Sequence, residues 1–371
     1  MADLNVGIIG GGIAGICSAV ALKESGFDVA LYSNDKQYPQ NSPPYASLNP
    51  KYGIASYNHN LLHFHAIKYA KEFYTKHLDR TSIAFPGLYR FINNEDLNER
   101  VKKTVQNNPF LSEEISVSRH KSMQNAIFHK TAGWVNTERL LNLEINKSQI
   151  EIKQIQSKST GHRLIDVNGK IIANHDVVIL CNPQSINNLL GQKIVCEHYS
   201  GSILQGDYQS SEKVNLSQDG YIIFDDKAFA CGSSYHKNKD IKDIDQNEEE
   251  KSLEKKIDWF DDISKIQNAK KQIWTGNRFT TKQRIPYVGK ALKEVKQSHN
   301  GMEFIWRDNI LINSFYGSKG FTLAPLASRI IVKMLTGDLD ELDAKFLNYL
   351  NPYQNLIKGH NKKNIIGFNY A

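Results

Sequence analysis

Residues 6–15 read VGIIGGGIAG, and this stretch decides the fold of the first part of the chain. Residues 4–9, LNVGII, predict a short buried parallel strand, and residues 13–25 have the apolar spacing of a helix that ends before Gly26. Residues 28–33, DVALYS, predict a second strand. The sequence therefore predicts a β–α–β unit, the Rossmann-like arrangement that binds dinucleotides.

The spacing Gly10-x-Gly12-x-x-Gly15 predicts where the pyrophosphate of such a dinucleotide binds. Gly10 permits the tight turn, Gly12 lets the backbone approach the pyrophosphate, and Gly15 lets the helix pack closely against the strand. The helix N-terminus, at Ile13 and Ala14, offers N–H groups and the positive end of the helix dipole to the phosphates. We predict that all five residues contact the cofactor.

The end of the second predicted strand departs from the usual pattern. An acidic residue that holds the ribose is expected there, about 20 residues beyond the glycines. The chain has Ser33, Asn34 and Asp35 at this point. Ser33 and Asn34 are predicted cofactor contacts, and Ser33 or Asp35 is the candidate partner of the ribose.

A second glycine-rich turn, GSKGFTLAP at residues 317–325, joins a predicted strand at 309–314 to a predicted helix at 324–335. Pro325 would lie in the first turn of that helix. Simple nicotinamide enzymes need only the first turn, so a second one suggests a larger cofactor. A helix N-terminus there would stabilise negative charge on a reduced flavin ring. An ordinary structural turn is the alternative.

Composition limits the class of protein. The chain has 371 residues, enough for about two or three domains, and no apolar run approaches the roughly 18 residues of a membrane span. The start of the chain does not read as a signal peptide, and four widely spaced cysteines favour a reducing cytosol over disulfides or a zinc site. The net charge of +7 is typical of a soluble protein or of one with an anionic partner such as nucleic acid.

Other segments predict individual elements. Residues 39–53 predict a loop, residues 59–77 a helix, and residues 236–256 a charged surface loop and helix. His59 and His63 lie four apart on the predicted helix, but no further ligands accompany them. We therefore predict no metal site.

Several further segments carry a resemblance that covers nearly the whole chain. They are ASLNPKYG at 46–53, TAGWVN at 131–136, FACGSSYH at 229–236, NRFTTKQRIPYVG at 277–289, YGSKGFTLAPLAS at 316–328 and LNPYQNLIKG at 350–359. Together with VGIIGGGIAG, their order and spacing resemble FAD-dependent oxidases of the D-amino-acid-oxidase and glycine-oxidase type. Within that family the chain is most similar to the oxidoreductase domain of bacterial enzymes that modify the wobble uridine of tRNA.

The resemblance implies a fold and a reaction. The fold is α/β, with a Rossmann-like FAD-binding domain and a β-rich substrate domain. The expected bounds are 1–80, 131–195 and 300–371 for a discontinuous FAD domain, and 81–130 and 196–299 for the substrate domain. The implied reaction oxidises the carboxymethylaminomethyl group of the wobble uridine in the tRNA anticodon. A hydride passes to the flavin, the resulting imine is hydrolysed, and glyoxylate and 5-aminomethyluridine are released.

The resemblance also implies roles for particular residues. Arg278 matches an arginine that holds the substrate carboxylate in related amine oxidases, and Lys319 is the second candidate catalytic residue. The remaining implied flavin contacts are Ser47, Asn49, Gly53, Gly317, Ser318, Gly320, Phe321 and Thr322.

The match is incomplete, so alternatives stay open. Lys282 and Gln283 stand where the family usually has Arg-Asp, and the fused methyltransferase domain of the family does not occur in this sequence. We expect a separate methyltransferase to act on the product, and no membrane partner. Lys358, His360, Lys362 and Lys363 could touch tRNA phosphates or form a solvated end. The alternative functions are an oxidase of a free small amine such as glycine or sarcosine, and a flavin-carrying RNA-binding protein without catalysis.

Overall fold

The computed structural model describes residues 4–34, 42–54, 56–92, 96–120, 124–141, 143, 145–298, 301–351, 353 and 365–366. Asp35 and the basic residues from Lys358 to Lys363 lie outside the described residues. The strands of the described part are β1 (Asn5–Ile9), β2 (Asp28–Tyr32), β3 (Tyr45–Leu48), β4 (Ile83–Ala84), β5 (Leu88–Phe91), β6 (Ile115–His120), β7 (Gln124–His129), β8 (Gly133–Asn136), β9 (Lys147–Ser148), β10 (Ile152–Lys158), β11 (Gly161–Asp166), β12 (Ile171–His175), β13 (Val177–Leu180), β14 (Cys196–Asp207), β15 (Asn215–Ser217), β16 (Tyr221–Phe224), β17 (Ala228–Gly232), β18 (His236–Lys237), β19 (Lys271–Thr281), β20 (Tyr287–Ser298), β21 (Gly301–Ser314) and β22 (Ile365–Ile366).

The helices of the same residues connect these strands. They are α1 (Ile13–Glu24), α2 (Tyr57–His77), α3 (Leu97–Asn107), α4 (Thr137–Leu141), α5 (Ile186–Leu190), α6 (Gln246–Lys255), α7 (Ile263–Asn268), α8 (Gly320–Thr336) and α9 (Glu341–Tyr349). None of the helices in the described ranges is long and apolar enough to cross a membrane.

The first sheet contains the predicted β–α–β unit. Its strand order is β20-β21-β13-β1-β2-β9, with β22 beside β21, and β1 pairs in parallel with both β2 and β13. The helix α1 ends as predicted, because Gly26 has φ +86° and the N–H groups of Gly26 and Phe27 donate to Lys23 and Leu22. The carboxyl ends of β1, β2, β13 and β21 therefore meet at one edge of the sheet.

Helices α1, α2 and α8 pack together on this sheet. A buried hydrogen-bond network joins α1 and α8 to β21: Asn313 Nδ2 donates to Ser18 Oγ at 2.8 Å and to Ser328 Oγ at 3.3 Å. All three side chains are fully buried, so the network satisfies groups that would otherwise be costly to bury. It fixes how α1 and α8 sit over β21.

The helix α8 begins at Gly320, four residues earlier than predicted, so Pro325 lies inside the helix and not in its first turn. Proline has no N–H, so the carbonyl of Phe321 loses its usual partner four residues later. The hydroxyl of Tyr74 donates to that carbonyl at 2.7 Å. This bond from α2 explains why the helix tolerates the proline.

The second large sheet is mostly antiparallel. Its order is β18-β14-β17-β16-β15-β5-β7-β6, with β19 on the other side of β14. Two three-stranded sheets, β10-β11-β12 and β3-β8-β4, complete the described strands. The predicted loop at 39–53 is wrong at Tyr45–Leu48, because this segment pairs with β8 as β3.

The predicted α/β class, with a Rossmann-like part and a β-rich part, is confirmed by these sheets. The strand β20 belongs to the first sheet, whereas the expected bounds assign its residues to the substrate domain. We propose that the second segment of the substrate domain ends near Thr281, where β19 ends.

Candidate active site

A cavity of about 870 Å³ lies between the carboxyl edge of the first sheet and the nine-stranded sheet. The first sheet contributes the loops after β1, β2, β13 and β21, and the second sheet contributes residues of β14, β16, β17 and β19. The predicted residues that line it are Gly10, Gly12, Ile13, Ala14, Ser33, Asn34, Ser47, Asn49, Arg278, Gly317, Ser318, Lys319, Gly320, Phe321 and Thr322. Gly15 and Gly53 do not line it.

Glycine stands at the three positions of the first turn for three different physical reasons. At Gly10, which has φ +117°, a Cβ atom would lie 2.6 Å from the backbone nitrogen of Asn182. At Gly15 a Cβ atom would lie 1.8 Å from the carbonyl oxygen of Gly10, so Gly15 serves helix packing. At Gly12 a Cβ atom would meet nothing within 4 Å and would point into open space. Only Gly12 leaves room for a ligand without being required by the protein's own packing.

The second turn brings another helix N-terminus to the same cavity. Gly317 has φ +58°, and its N–H donates to the carbonyl of Phe279 at 2.8 Å. At Gly320 a Cβ atom would lie 2.9 Å from Cγ2 of Ile13, so glycine lets α8 begin beside α1. Neither helix has a side-chain hydrogen bond at its N-cap. The positive ends of two helix dipoles therefore face one cavity.

The end of β2 has an acidic neighbour that sequence reasoning missed. Asn34 Nδ2 donates to Glu151 Oε2 at 2.9 Å, and both residues line the cavity with Ser33. Glu151 reaches this point because β9 pairs in parallel with β2, Tyr32 being opposite Ser148. No local signal marks Glu151, since it lies 117 residues from Asn34 in the chain.

Arg278, on β19, lies beside the second glycine-rich turn. Its Nη1 donates to the carbonyl of Ser234 at 3.1 Å, and its guanidinium lies 4.6 Å from the ring centroid of Tyr235. A Cβ atom at Gly201 would lie 2.8 Å from that Nη1, so this glycine makes room for the guanidinium. The arginine is partly buried and still lines the cavity.

Tyr235 also faces the cavity, and sequence reasoning did not single it out. Burial raises the pKa of its hydroxyl, but the positive charge of Arg278, hydrogen bonds to Ser233 and Ser318 and the positive charge of Lys51 together outweigh burial. The net pKa of Tyr235 is below its usual value. Arg278 and Tyr235 therefore form a polar pair next to residues 317–320.

Lys319 is the N-cap residue of α8 and lines the cavity. Burial, together with the positive charges of Lys51 and Arg284, lowers the pKa of Lys319 to about 8. The surroundings are thus electropositive and favour an anionic ligand.

Two segments that the sequence analysis associated with the site lie outside the cavity walls. The N–H of Gly53 donates to Asn60 Oδ1 at 2.9 Å, and its carbonyl accepts from Asn60 Nδ2 at 2.6 Å, so α2 holds this loop. Lys282 and Gln283, which depart from the family pattern, are exposed in the turn after β19 and do not line the cavity. Their departure therefore does not alter the walls of the site.

His59 and His63 lie side by side on α2, with ring centroids 4.4 Å apart. In the described residues, no group of three or more His, Cys, Asp and Glu side chains could hold a metal ion. Burial lowers the pKa of both imidazoles, and the nearby Lys319 lowers it further.

Comparison with known proteins decides the family. The family described as FAD dependent oxidoreductase matches residues 5–334. The chain belongs to this family. It is therefore a FAD-dependent oxidoreductase, as the resemblance of its motifs implied.

The residues of the cavity fit FAD. The open space at Gly12 lies before the N-terminus of α1, where a diphosphate is stabilised, and the same cavity reaches the N-terminus of α8. FAD can place its diphosphate at the N-terminus of α1 and its flavin ring at the N-terminus of α8.

Curated relatives of this FAD-dependent oxidoreductase are named tRNA 5-methylaminomethyl-2-thiouridine biosynthesis bifunctional protein MnmC. That of Idiomarina loihiensis is 25% identical over 91% of this chain and 56% of the relative. That of Shewanella pealeana is 24% identical over 96% of this chain and 64% of the relative. The chain spans less than two thirds of the length of these relatives.

Solved structures show the same fold. Glycine oxidase from Geobacillus kaustophilus has a TM-score of 0.74 at 14% identity, covering 93% of this chain and 98% of that protein. L-proline dehydrogenase from P. horikoshii has a TM-score of 0.71 at 12% identity, covering 96% and 98%. At these identities the likeness to the two structures shows a shared fold alone.

The lowered pKa of Lys319 leads to a pH prediction for cofactor binding. Below about pH 8 Lys319 is protonated and would attract FAD, which is an anion, and above about pH 8 it loses that charge. We expect the affinity for FAD to fall as the pH rises through about 8. Fluorescence titration of the apoprotein with FAD between roughly pH 6 and 9.5 measures it. An equal pH dependence in Lys319→Met would contradict the assignment to Lys319.

Proposed function

We propose that this enzyme removes the carboxymethyl group from 5-carboxymethylaminomethyluridine, or its 2-thio form, at the wobble position of tRNA. The secondary amine loses a hydride and a proton, and water then breaks the C–N bond. The products are glyoxylate and 5-aminomethyluridine, with two electrons left on the cofactor. The observation that carries this proposal is the match of over nine tenths of the chain to relatives named for tRNA wobble-uridine biosynthesis.

FAD, when bound, supplies the acceptor for the hydride from the carbon beside the amine nitrogen. The protein's own part is to bind and orient. The backbone at Gly10, Gly12 and the start of α1 would hold the diphosphate, and the turn at 317–322 would face the flavin ring. The positive end of α8 would stabilise negative charge on that ring.

Arg278 would hold the carboxylate of the carboxymethyl group. A planar guanidinium grips a carboxylate in two places and so fixes the carbon that loses the hydride. The bond of Nη1 to Ser234 and the ring of Tyr235 hold the guanidinium in one orientation. This pre-organisation lowers the entropy lost when the substrate binds.

We also assign the ribose of FAD to Glu151, in place of the acid that the end of β2 lacks. Its Oε2 accepts from Asn34, so the carboxylate is oriented while it can still accept from ribose hydroxyls. We expect Glu151→Gln to weaken FAD binding about tenfold, since a charged hydrogen bond contributes about 1.5–3 kcal/mol. Equilibrium titration of the apoprotein with FAD measures the change.

The matched ligand for this test is FMN, which lacks the adenosine half of FAD. Glu151→Gln should leave the affinity for FMN unchanged, and the exposed Glu113→Gln should leave both affinities unchanged. Equal losses for FAD and FMN would remove Glu151 from the ribose.

The test of the function is the visible flavin spectrum without oxygen, before and after tRNA that carries carboxymethylaminomethyluridine is added. Bleaching by this tRNA, with release of glyoxylate and none with the unmodified tRNA, is the expected result. Glycine and sarcosine are run beside it. Bleaching by these amines and not by the tRNA would move the enzyme to the free amine oxidases.

The proposed partners follow from this reaction. The substrate is the anticodon region of tRNA, and the net charge of +7 supports binding to an anionic partner. The 5-aminomethyl product is a primary amine, which a separate methyltransferase would then modify. A base in the anticodon loop must leave its stack to enter the cavity.

A further inference from the structure

Arg90, on β5, is a cavity residue that the reaction above does not use. Its Nη2 donates to Asn49 Oδ1 at 2.8 Å. Within the part of the chain that the structure describes, no carboxylate oxygen lies within 4.0 Å of its guanidinium nitrogens. Burial lowers the pKa of Arg90 to about 10, with a further contribution from Arg100. The side chain therefore remains charged at neutral pH, with no counterion among the described residues.

The buried polar side chains beside Arg90 on the neighbouring strands are neutral. On the neighbouring strands, His129 and Asn215 both pair with Leu88, so their side chains share the face of the sheet that carries Arg90. Each is 2% exposed, and burial keeps the pKa of His129 well below its usual value. Tyr52 stacks on His129 with ring centroids 5.8 Å apart. Nothing in this group neutralises the guanidinium.

A cation that is partly removed from water without a partner costs free energy unless a ligand supplies the opposite charge. The planar fork of a guanidinium fits carboxylates and phosphates. We propose that Arg90 is a second oxyanion site in the cavity, which holds a carboxylate or phosphate group of the substrate at a place apart from Arg278.

The position of Arg90 in the sheet argues that the two arginines bind different groups. Four strands, β14, β17, β16 and β15, lie between β19 with Arg278 and β5 with Arg90. Five inter-strand steps of about 4.8 Å separate the two positions by roughly 24 Å along the sheet. One carboxylate of a small amino acid cannot reach both. A substrate that engages both arginines would therefore carry two separate anionic groups.

The experiment uses the FAD-loaded protein, with acetate and inorganic phosphate as separate probes. The rise in Tm with anion concentration gives the affinity. In Arg278→Met we expect one anion site to remain, and in Arg278→Met with Arg90→Met we expect the affinity to fall at least tenfold. The exposed Arg119→Met, added to Arg278→Met in the same way, should change nothing. The probe that still binds to Arg278→Met, acetate or phosphate, tells whether Arg90 holds a carboxylate or a phosphate group.

Two further readouts separate this role from a structural or cofactor role. Without added anion, Arg90→Met should have an equal or higher Tm, because it removes an unpaired charge. Its affinity for FAD should fall by less than tenfold, because Arg90 reaches Asn49, an implied flavin contact, through a single side-chain hydrogen bond. A lower Tm, a tenfold weaker FAD affinity, or anion binding that does not depend on Arg90 would each overturn the proposal. Arg90→Lys, which keeps the charge, should bind the anion about tenfold more weakly and covers the case in which Arg90→Met does not fold.

These measurements need no turnover of tRNA. Failure of the proposed tRNA reaction would therefore leave the anion site standing, and loss of the anion site would leave the tRNA reaction to be judged by the flavin spectrum.

Discussion

Replacing Gly12 with valine should abolish the binding of FAD while the protein stays folded. A Cβ atom at Gly12 meets nothing within 4 Å, so the added side chain occupies only the space before the N-terminus of α1. The φ of Gly12 is −73°, which valine adopts, so the backbone is not strained. A branched side chain in that space would exclude the diphosphate, and we expect FAD affinity to fall by more than about a hundredfold, or roughly 2.7 kcal/mol.

The measurement is the ratio of flavin to protein absorbance after purification, with Tm of the apoprotein as the test of folding. Loss of glycine at an N-cap should lower the free energy of unfolding by at most about 1 kcal/mol. The matched control is Gly53→Ala, because a Cβ atom there also meets nothing within 4 Å but lies outside the cavity walls. A fully flavin-loaded Gly12→Val protein would refute the diphosphate assignment.

The same two glycines show what the sequence can predict. The role of Gly12 follows from local geometry, because strand, turn and helix are consecutive and their spacing is fixed. Gly53 was predicted from its place in a family motif, yet its N–H and carbonyl both bond to Asn60. No pattern within the loop indicates that α2 takes these groups.

The residues that sequence reasoning missed depend on contacts between distant segments. Glu151 enters the cavity only because β9 pairs with β2. Arg90 stands out only when its surroundings are known, since its significance lies in the carboxylate that the described neighbours do not provide. The start of α8 was misplaced for the same reason, because Tyr74, on another helix, supplies the bond that Pro325 cannot.

Replacing Arg278 with methionine should have the largest effect on the substrate half of the reaction. Removing one partner of an enclosed guanidinium–carboxylate pair costs about 2–4 kcal/mol, which is roughly a 30- to 1000-fold loss in kcat/KM. Arg278→Lys should lose nearly as much, because an ammonium cannot form the two parallel bonds that orient the reacting carbon. Rapid-mixing measurements of flavin reduction at several substrate concentrations give the substrate Kd and the limiting rate separately.

The split between these two quantities decides the role of Arg278. If Arg278 holds the carboxylate, Kd rises in both variants, and Arg278→Lys also lowers the limiting rate because the reacting carbon is no longer fixed. FAD content should stay at the wild-type level, since the guanidinium bonds to Ser234 and faces Tyr235 on the β-rich side of the cavity. The exposed Arg119→Met controls for the loss of one positive charge. Unchanged reduction kinetics in Arg278→Met would place the substrate carboxylate elsewhere, and Arg90 would then be the next guanidinium to test.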